Sequence, residues 1–449
     1  MRKIYNLSIL ALFLILILYG CKESAQKSPE PVPEPLEEFT INKLDVPDAE
    51  KERAAFKKWI KDNNKNLNWR NYFQKNVLTP EILNTSLSLG SKFLENNQKP
   101  AGNFNYEYDF ATKTFASGDN QVRQAGAVWG SALIFAYNQD PNLKKALDKS
   151  LEFFFKFTKE GNVPGSRAIF YNNERVSKTG TIALVSLGII EYLHTEKAGL
   201  IKLEDSYRKK LEYNLRGYIQ HLLSLQLKNA HFADSFTSHK KVKFHSKKYN
   251  PYADGEVLLA LVKAAKYLGY EELKPVFEDS AFLIAKYYTM DQWTRDPDSN
   301  LTKGFYQWSS MAFWEYQDAG WKDSEYYGDY VENMAWWMIF THRTLQRTRN
   351  TAYAYEGIIY AYQIADSENN KSARNTLAFT IDRGLTKLTS WQVGGPLESR
   401  NKFLSSFNSF PKAAIGGIMN HRKEPLLRID VTQHQMHSVI LALKYRYIN

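Results

Sequence analysis

The sequence predicts an all-α protein folded as an (α/α)6 barrel, with inner helices ringed by outer ones. Apolar residues recur at helical spacing through about a dozen segments, and nothing longer than a few residues alternates in the strand manner. The helical segments also come in two kinds that alternate along the chain. One kind is small and apolar nearly all round, as in 121–129, 180–188, 255–261 and 356–362; the other is amphipathic and charged, as in 143–157 and 205–225. Helices apolar on every side belong inside and amphipathic ones outside.

The chain opens with Arg2 and Lys3, an apolar run from Ile9 to Leu18, and then Tyr19, Gly20 and Cys21. The run is short for a permanent membrane span, and the pattern reads as a cleavable export signal, residues 1–20. Its end resembles the lipobox of bacterial lipoproteins. That resemblance implies a mature N-terminus at Cys21 carrying lipid, palmitate included, and a place in the cell envelope, periplasmic or surface-exposed. An uncleaved signal anchor is the alternative, and Tyr19 is an unusual lipobox residue. Cys21 is the sole cysteine, which excludes an internal disulfide framework and any CxxC metal site.

Residues 21–45 form the next unit. Pro29, Pro31, Pro33 and Pro35 stand at alternate positions among Glu, Ser and Lys, the composition of an extended, solvated tether. The rest, 46–449, reads as one toroid domain, a size such barrels reach as single units. The formal charge is +11, two fewer without Arg2 and Lys3. Basic residues are dispersed apart from a cluster at His239, Lys240, Lys241, Lys243, His245, Lys247 and Lys248. That cluster is either a solvated loop or an attraction for acidic glycans and membrane phosphates. No nucleic acid partner is expected of an exported protein.

Within the domain, helices are expected near 49–63, 79–97, 120–138, 141–158, 179–194, 204–226, 254–268, 271–289, 305–316, 325–348, 352–366, 371–390 and 431–447. Five inner–outer pairs run from 120 to 390. The inner-type helix 431–447 lacks a following partner and 79–97 lacks a preceding one, so pairing them closes a ring of six hairpins. Weak repetition agrees: QKPAGNF at 98–104, QLKNAHF at 226–232 and QVGG at 392–395 each follow an outer-type helix. An irregular helical bundle or solenoid is the alternative.

In such a barrel the N-terminal ends of the inner helices converge on one mouth, and the residues there are unusually polar. Tyr106 and Tyr108 stand beside carboxylates ahead of Asp119 and Arg123, a mixture suited to stacking and hydrogen-bonding a sugar. Asp119 could equally cap the helix, with Arg123 as its i+4 partner. Tyr252, Asp254 and Glu256 open the next polar stretch. Asp254 has the chemistry of a helix cap, whereas Glu256 enters an apolar helix, where a carboxyl is shifted upward in pKa, as a general acid requires. Tyr353 and Glu356 repeat the arrangement. Asp430 and His434 share a helix face and could pair, with His437 one step further round. Three ligands on one helix are poorly disposed for a tetrahedral metal, so no metal is assigned. An aromatic belt from Trp293 to Trp337 is mostly core, but its excess of Tyr and Trp favours a cleft that stacks sugar rings.

The F-x-Y-x-Y segment at 104–108, the NQVRQAG helix start at 120–126, GEVLLAL at 255–261 and RIDVTQH at 428–434 together resemble the six-hairpin glycosidase-like superfamily over about residues 75–449. The resemblance implies carbohydrate handling in a toroid cleft without fixing a substrate. The sequence has no D-x-D-D segment of the squalene-cyclase kind, no G-x-S-x-G, no H-E-x-x-H, no Walker loop and no dinucleotide fingerprint. The leading expectation is a glycoside hydrolase with Glu256 as acid and Glu356 or Asp119 as second carboxylate. Arg123, Tyr252, Tyr353 and His434 would position the glycan, and no cofactor is expected. A uronic acid lyase or epimerase using Tyr and His as bases, with Arg123 on the sugar carboxylate, fits the same residues. A non-catalytic glycan- or protein-binding lipoprotein is the third reading.

Overall fold

The computed structural model describes residues 38–72, 76–161, 163–239 and 242–448. The export signal, Cys21 and most of the tether lie outside the described residues, as do Lys240 and Lys241 of the basic cluster.

Thirteen helices of more than eight residues make up the described body: α1 (Ala49–Lys65), α2 (Pro80–Asn97), α3 (Gln121–Asn138), α4 (Pro141–Lys156), α5 (Thr179–Lys197), α6 (Asp205–Ser224), α7 (Pro251–Leu268), α8 (Lys274–Tyr288), α9 (Asn300–Asp318), α10 (Ser324–Trp336), α11 (Ala352–Ser367), α12 (Lys371–Thr389) and α13 (Ile429–Tyr445). Their starts follow from local chemistry. The side chains of Thr79, Asn120, Asp140, Asn250, Ser299 and Asn370 each accept a first-turn backbone N–H. Pro80, Pro141 and Pro251 occupy first positions, where no N–H is needed. Asn120 and Asn250, rather than Asp119 and Asp254, are therefore the caps of α3 and α7.

The helices α3, α5, α7, α9, α11 and α13 pack side by side in that order, and α13 returns to α3, closing an inner ring. Each is buried on most of its circumference. The amphipathic helices α4, α6, α8, α10 and α12 lie outside, and α2 packs on α13 to supply the sixth outer position. The fold is thus the (α/α)6 toroid that the alternation of helix types predicts. Helix α1 lies outside the ring against α8 and α10, where Phe56 and Ile60 are its buried residues.

Short strands decorate the loops: β1 (Glu107–Asp109), β2 (Thr114–Phe115), β3 (Thr158–Glu160), β4 (Arg167–Ile169), β5 (Val176–Lys178), β6 (Ser235–His239), β7 (Val242–His245) and β8 (Leu426–Arg428). They form antiparallel sheets in the orders β2–β1–β8, β3–β4 and β5–β6–β7. Pairing of Glu107 with Arg428 ties the loop before α3 to the loop before α13.

The weak repeat has a structural meaning. Gln98 pairs with Phe104, Gln226 with Phe232 and Gln392 with Ile418 in isolated antiparallel bridges after α2, α6 and α12. In each case the N–H of the second residue is bound by the fourth residue of an inner helix: Gln124 at 2.8 Å, Asp254 at 2.7 Å and Thr432 at 3.1 Å. One device thus staples three loops to three inner helices.

Two local readings are corrected. The tether does not run free to residue 45. Phe39 is buried under Arg216 and Tyr270, the Thr40 N–H donates to Gln220 Oε1 at 2.9 Å, and the Asp45 N–H donates to the Lys228 carbonyl at 2.7 Å. Phe39 and these hydrogen bonds seat the segment along α6. The helix expected over 325–348 also stops early: it passes at Trp337–Thr341 into a π-helical turn and then into a loop. Such turns are rare and frequent at functional sites.

A candidate active site at the mouth of the toroid

The N-terminal ends of the inner helices surround a cavity of about 790 Å³. Asn120, Arg123 and Gly126 reach it from α3, Leu184 from α5, Tyr252 and Glu256 from α7, Lys303, Gln307 and Trp308 from α9, Tyr353 from α11, and Asp430, Val431, Gln433 and His434 from α13. The loop between α10 and α11 adds His342, Arg347, Arg349 and Asn350.

Glu256 is 4% exposed and has no hydrogen-bond or ion-pair partner among the described residues. Burial alone pushes its carboxyl up to about 8, so it keeps its proton at neutral pH. Gly180 on α5 makes room for it, since a Cβ there would overlap Glu256 Oε2. A neutral carboxylic acid in a ligand-sized cavity is a proton donor.

Glu356 lies elsewhere. It is fully buried beneath the cavity and does not line it. Its Oε1 accepts from His434 Nδ1 at 3.1 Å and His437 Nδ1 at 2.9 Å, and its Oε2 accepts from Gln307 Nε2 at 3.1 Å. Burial opposes its ionisation, but His434 and His437 outweigh that and hold its pKa below the ordinary carboxylate value. An ionised carboxylate only accepts, so both imidazoles donate from Nδ1. His434 therefore offers Nε2 to a ligand in the cavity. Burial disfavours the His434 cation, yet Glu356 outweighs burial and raises the pKa of His434. Carboxylate and imidazole form a hydrogen-bonded dyad in which Glu356 fixes the orientation of a ring that lines the cavity. His434 pairs with Glu356 rather than with Asp430.

Asp430 is the second carboxylate that lines the cavity, held by Arg428 at 3.0 and 2.7 Å and by Arg123 at 3.2 Å. Arg123 pairs with Asp430 and not with Asp119. Asp119 is exposed beside the mouth, where it accepts from Gln124 Nε2 at 2.7 Å and the Tyr171 hydroxyl at 2.6 Å. Asp254 is fully buried on the outer side of α7. It binds the Phe232 N–H, His231 Nδ1 and the Tyr288 hydroxyl, each at 2.7 Å, and does not line the cavity. Tyr108 is buried against Phe115 in the β1–β2 hairpin, and Tyr106 lies under the Arg123 guanidinium, 5.4 Å from its ring centre. Tyr252, Tyr353, Arg123, Asp430, His434 and Glu256 are thus brought together, and Asp119, Asp254, Tyr106, Tyr108 and Glu356 support or surround them.

The aromatic belt contributes less than expected. Trp308 lines the cavity, whereas Tyr306, Tyr316, Tyr327 and Tyr330 are buried in the core. The reason is position: Tyr327 and Tyr330 lie on the outer helix α10, whose aromatic face turns toward α1 and α9, while Tyr306 and Tyr316 on α9 turn toward α11 and α10. Sequence reasoning did not single out Lys303, Gln307, His342 or Arg347. His342 Nδ1 is 2.6 Å from Asp298, and its Nε2 is 3.3 Å from the Tyr353 hydroxyl, so a second imidazole stands at the wall. The run THRTLQRTRNT at 341–351, polar and without helical periodicity, was the available signal.

The ring of six hairpins is an (α/α)6 toroid, a fold also found in solved structures of an α-mannanase and a cellobiose 2-epimerase. Among solved structures, the chain is similar to cellobiose 2-epimerase from Bacillus thermoamylovorans, with a TM-score of 0.53 at 8% identity over 80% of this chain and 98% of that one. A GH76 α-mannanase of Bacteroides thetaiotaomicron gives a TM-score of 0.51 at 10% identity, over 81% and 96%. An unsaturated glucuronyl hydrolase specific for heparin gives 0.50 at 11% identity, over 82% and 98%. At such identities the likeness defines the fold alone. No protein-family model and no curated protein sequence matches the chain.

Proposed function

We propose that this chain is a carbohydrate-active enzyme that cleaves a glycan in the toroid mouth, with Glu256 as general acid and His434, positioned by Glu356, as general base. The observation that carries the reading is one cavity lined by a carboxylic acid that keeps its proton at neutral pH and by an imidazole backed by a buried carboxylate. In hydrolysis Glu256 gives its proton to the leaving glycosidic oxygen while His434 Nε2 takes one from the attacking water. Asp430, held between Arg123 and Arg428, accepts hydrogen bonds from sugar hydroxyls, and Tyr252, Trp308 and Tyr353 offer ring faces. The structural neighbours, which include an α-mannanase and a glucuronyl hydrolase, support a glycan substrate.

One observation favours a second reading. The base is an imidazole, and a further imidazole, His342, touches Tyr353 at the wall, a set suited to removing a carbon-bound proton in a lyase or epimerase. The two are separated by the products from a panel of neutral and acidic oligosaccharides in deuterated water. New reducing ends without carbon-bound deuterium mean hydrolysis; an unsaturated sugar means a lyase, and deuterium at a sugar carbon an epimerase. Binding that survives Glu256→Gln and His434→Gln, with no turnover by the parent enzyme, moves the assignment to a binding protein.

We further propose that the chain is exported and lipid-anchored through Cys21. Metabolic labelling with a palmitate analogue tests this: label lost in Cys21→Ser supports the anchor, and an unlabelled parent protein removes it.

A further inference from the structure

Five cationic side chains line the cavity, Arg123, Lys303, Arg347, Arg349 and Arg428, against two carboxyls, Glu256 and Asp430. Glu256 is uncharged at neutral pH for the reason given above. The ion pairs leave a remainder. Asp430 serves both Arg123 and Arg428, and Asp298, outside the cavity lining, serves Arg347 at 2.9 Å. Lys303 and Arg349 have no carboxylate partner among the described residues. Both line the same cavity: Lys303 stands in the first turn of α9 with its amine 5.4 Å from the Tyr353 ring centre, and Arg349 on the loop that leads into α11, four residues before Tyr353. Burial and the neighbouring Arg347 both work against the Lys303 cation, with Asp298 in partial opposition. An added anion relieves that strain. The inner helices add to the field, because their N-terminal ends face the same space with positive dipole ends.

We infer that Lys303 and Arg349, beside the Arg347–Asp298 pair, form a subsite for the negatively charged substituent of an acidic sugar, a carboxylate or a sulfate. This rests on the reading that the cavity holds a sugar, and it names the substrate class of that site. A planar guanidinium and a neighbouring ammonium suit either oxyanion. Neutral sugars enter the same cavity without drawing on these two cations.

The test is calorimetric titration of the full soluble domain, beginning at residue 38, with glucuronate, glucose 6-sulfate and glucose. Lys303→Met and Arg349→Gln are measured beside the parent, each checked by thermal melt. At least one acidic sugar is expected to bind about tenfold or more tighter than glucose. That preference should fall in both variants and weaken with added salt, while glucose binding stays constant. The tighter of the two acids identifies the substituent. Arg349 is exposed and outside the core, so its variant decides the matter if Lys303→Met does not fold. Equal binding of all three sugars, or a preference that survives Arg349→Gln, overturns the acidic subsite and leaves the glycan reading standing. Absence of binding by any sugar, neutral oligosaccharides included, removes the glycan reading and the subsite with it.

Discussion

His434 Nδ1 stands 3.1 Å from Glu356 Oε1, with the imidazole lining the cavity and the carboxylate sealed beneath it. Each partner shifts the other's protonation: the carboxylate raises the histidine, and the histidine, with His437, lowers the carboxylate against the effect of burial. The relationship makes Glu356 a positioning residue whose influence shows through His434.

Removing that charge has a directional effect on the pH profile. In Glu356→Gln the His434 pKa falls, so the acid limb of kcat/KM moves to lower pH while the maximum rate drops. Loss of the base itself in His434→Gln costs about 10²- to 10⁴-fold. A pH–rate comparison of the parent and Glu356→Gln measures the shift; an unmoved acid limb means that Glu356 has a packing role alone.

Glu256 predicts opposed effects on turnover and stability. Its carboxyl is raised from 4.5 to about 8 in the folded protein, so the folded state keeps a proton that the unfolded chain releases. The stability this contributes is present in full below about pH 4.5 and is lost as pH rises toward 8. Glu256→Gln has no such loss. It should therefore be inactive yet more stable than the parent at pH 8, by an amount on the order of 4 kcal/mol, with the gap narrowing toward pH 5. Melting curves at the two pH values check it.

At the far end of the inner helices the pH dependence runs the other way. Lys263, 7% exposed, pairs with Glu191 and, at 3.3 Å, with Glu315, while Lys266 reaches Glu315 at 2.6 Å. Burial would raise Glu315, but the two lysines outweigh it and lower its pKa to about 2. Stability from Glu315 is thus present above about 4.5 and lost as pH falls toward 2. Lys263→Met strands the buried Glu191 carboxylate, while Glu315 keeps Lys266, and should destabilise the fold by about 3–5 kcal/mol near neutral pH. Adding Glu191→Gln should recover part of that, as urea unfolding of the single and double variants would reveal.

Asp254 separates stability from binding. Its carboxylate satisfies a backbone N–H, a histidine and a tyrosine hydroxyl, all buried. Asp254→Ala should cost about 2–4 kcal/mol in urea unfolding while leaving KM unchanged in the folded fraction. A raised KM at unchanged stability would restore a substrate contact.

The helices were legible because each carries its own burial pattern and six of them carry a capping side chain at the start. Asn120 and Asn250 announce α3 and α7, and the contrast between the apolar 180–188 and the charged 205–225 assigns them to the two layers. Closure of the ring was legible from the unpaired first and last helices. The cavity was legible only where a residue sits at an inner helix start, as Arg123, Tyr252, Glu256, Tyr353 and His434 do. Depth was not: helical spacing brings Glu356 to the mouth end of α11 but does not say that its carboxylate turns beneath the cavity. His342 and Arg347 were obscured for another reason. A helical reading of 325–348 ran through the π-helical turn at Trp337–Thr341, beyond which side-chain direction no longer follows the helix period. Asp119 and Asp254 have the chemistry of caps, but Asn120 and Asn250 hold those positions, and both aspartates bind loop residues instead.

The most direct measurement is the pH dependence of kcat/KM on a glycan that the enzyme turns over, for the parent and Glu256→Gln. The account predicts a bell whose alkaline limb falls near pH 8, where Glu256 gives up its proton, and no appreciable turnover by the variant. Full activity well above that pH, or undiminished turnover by Glu256→Gln, would contradict it.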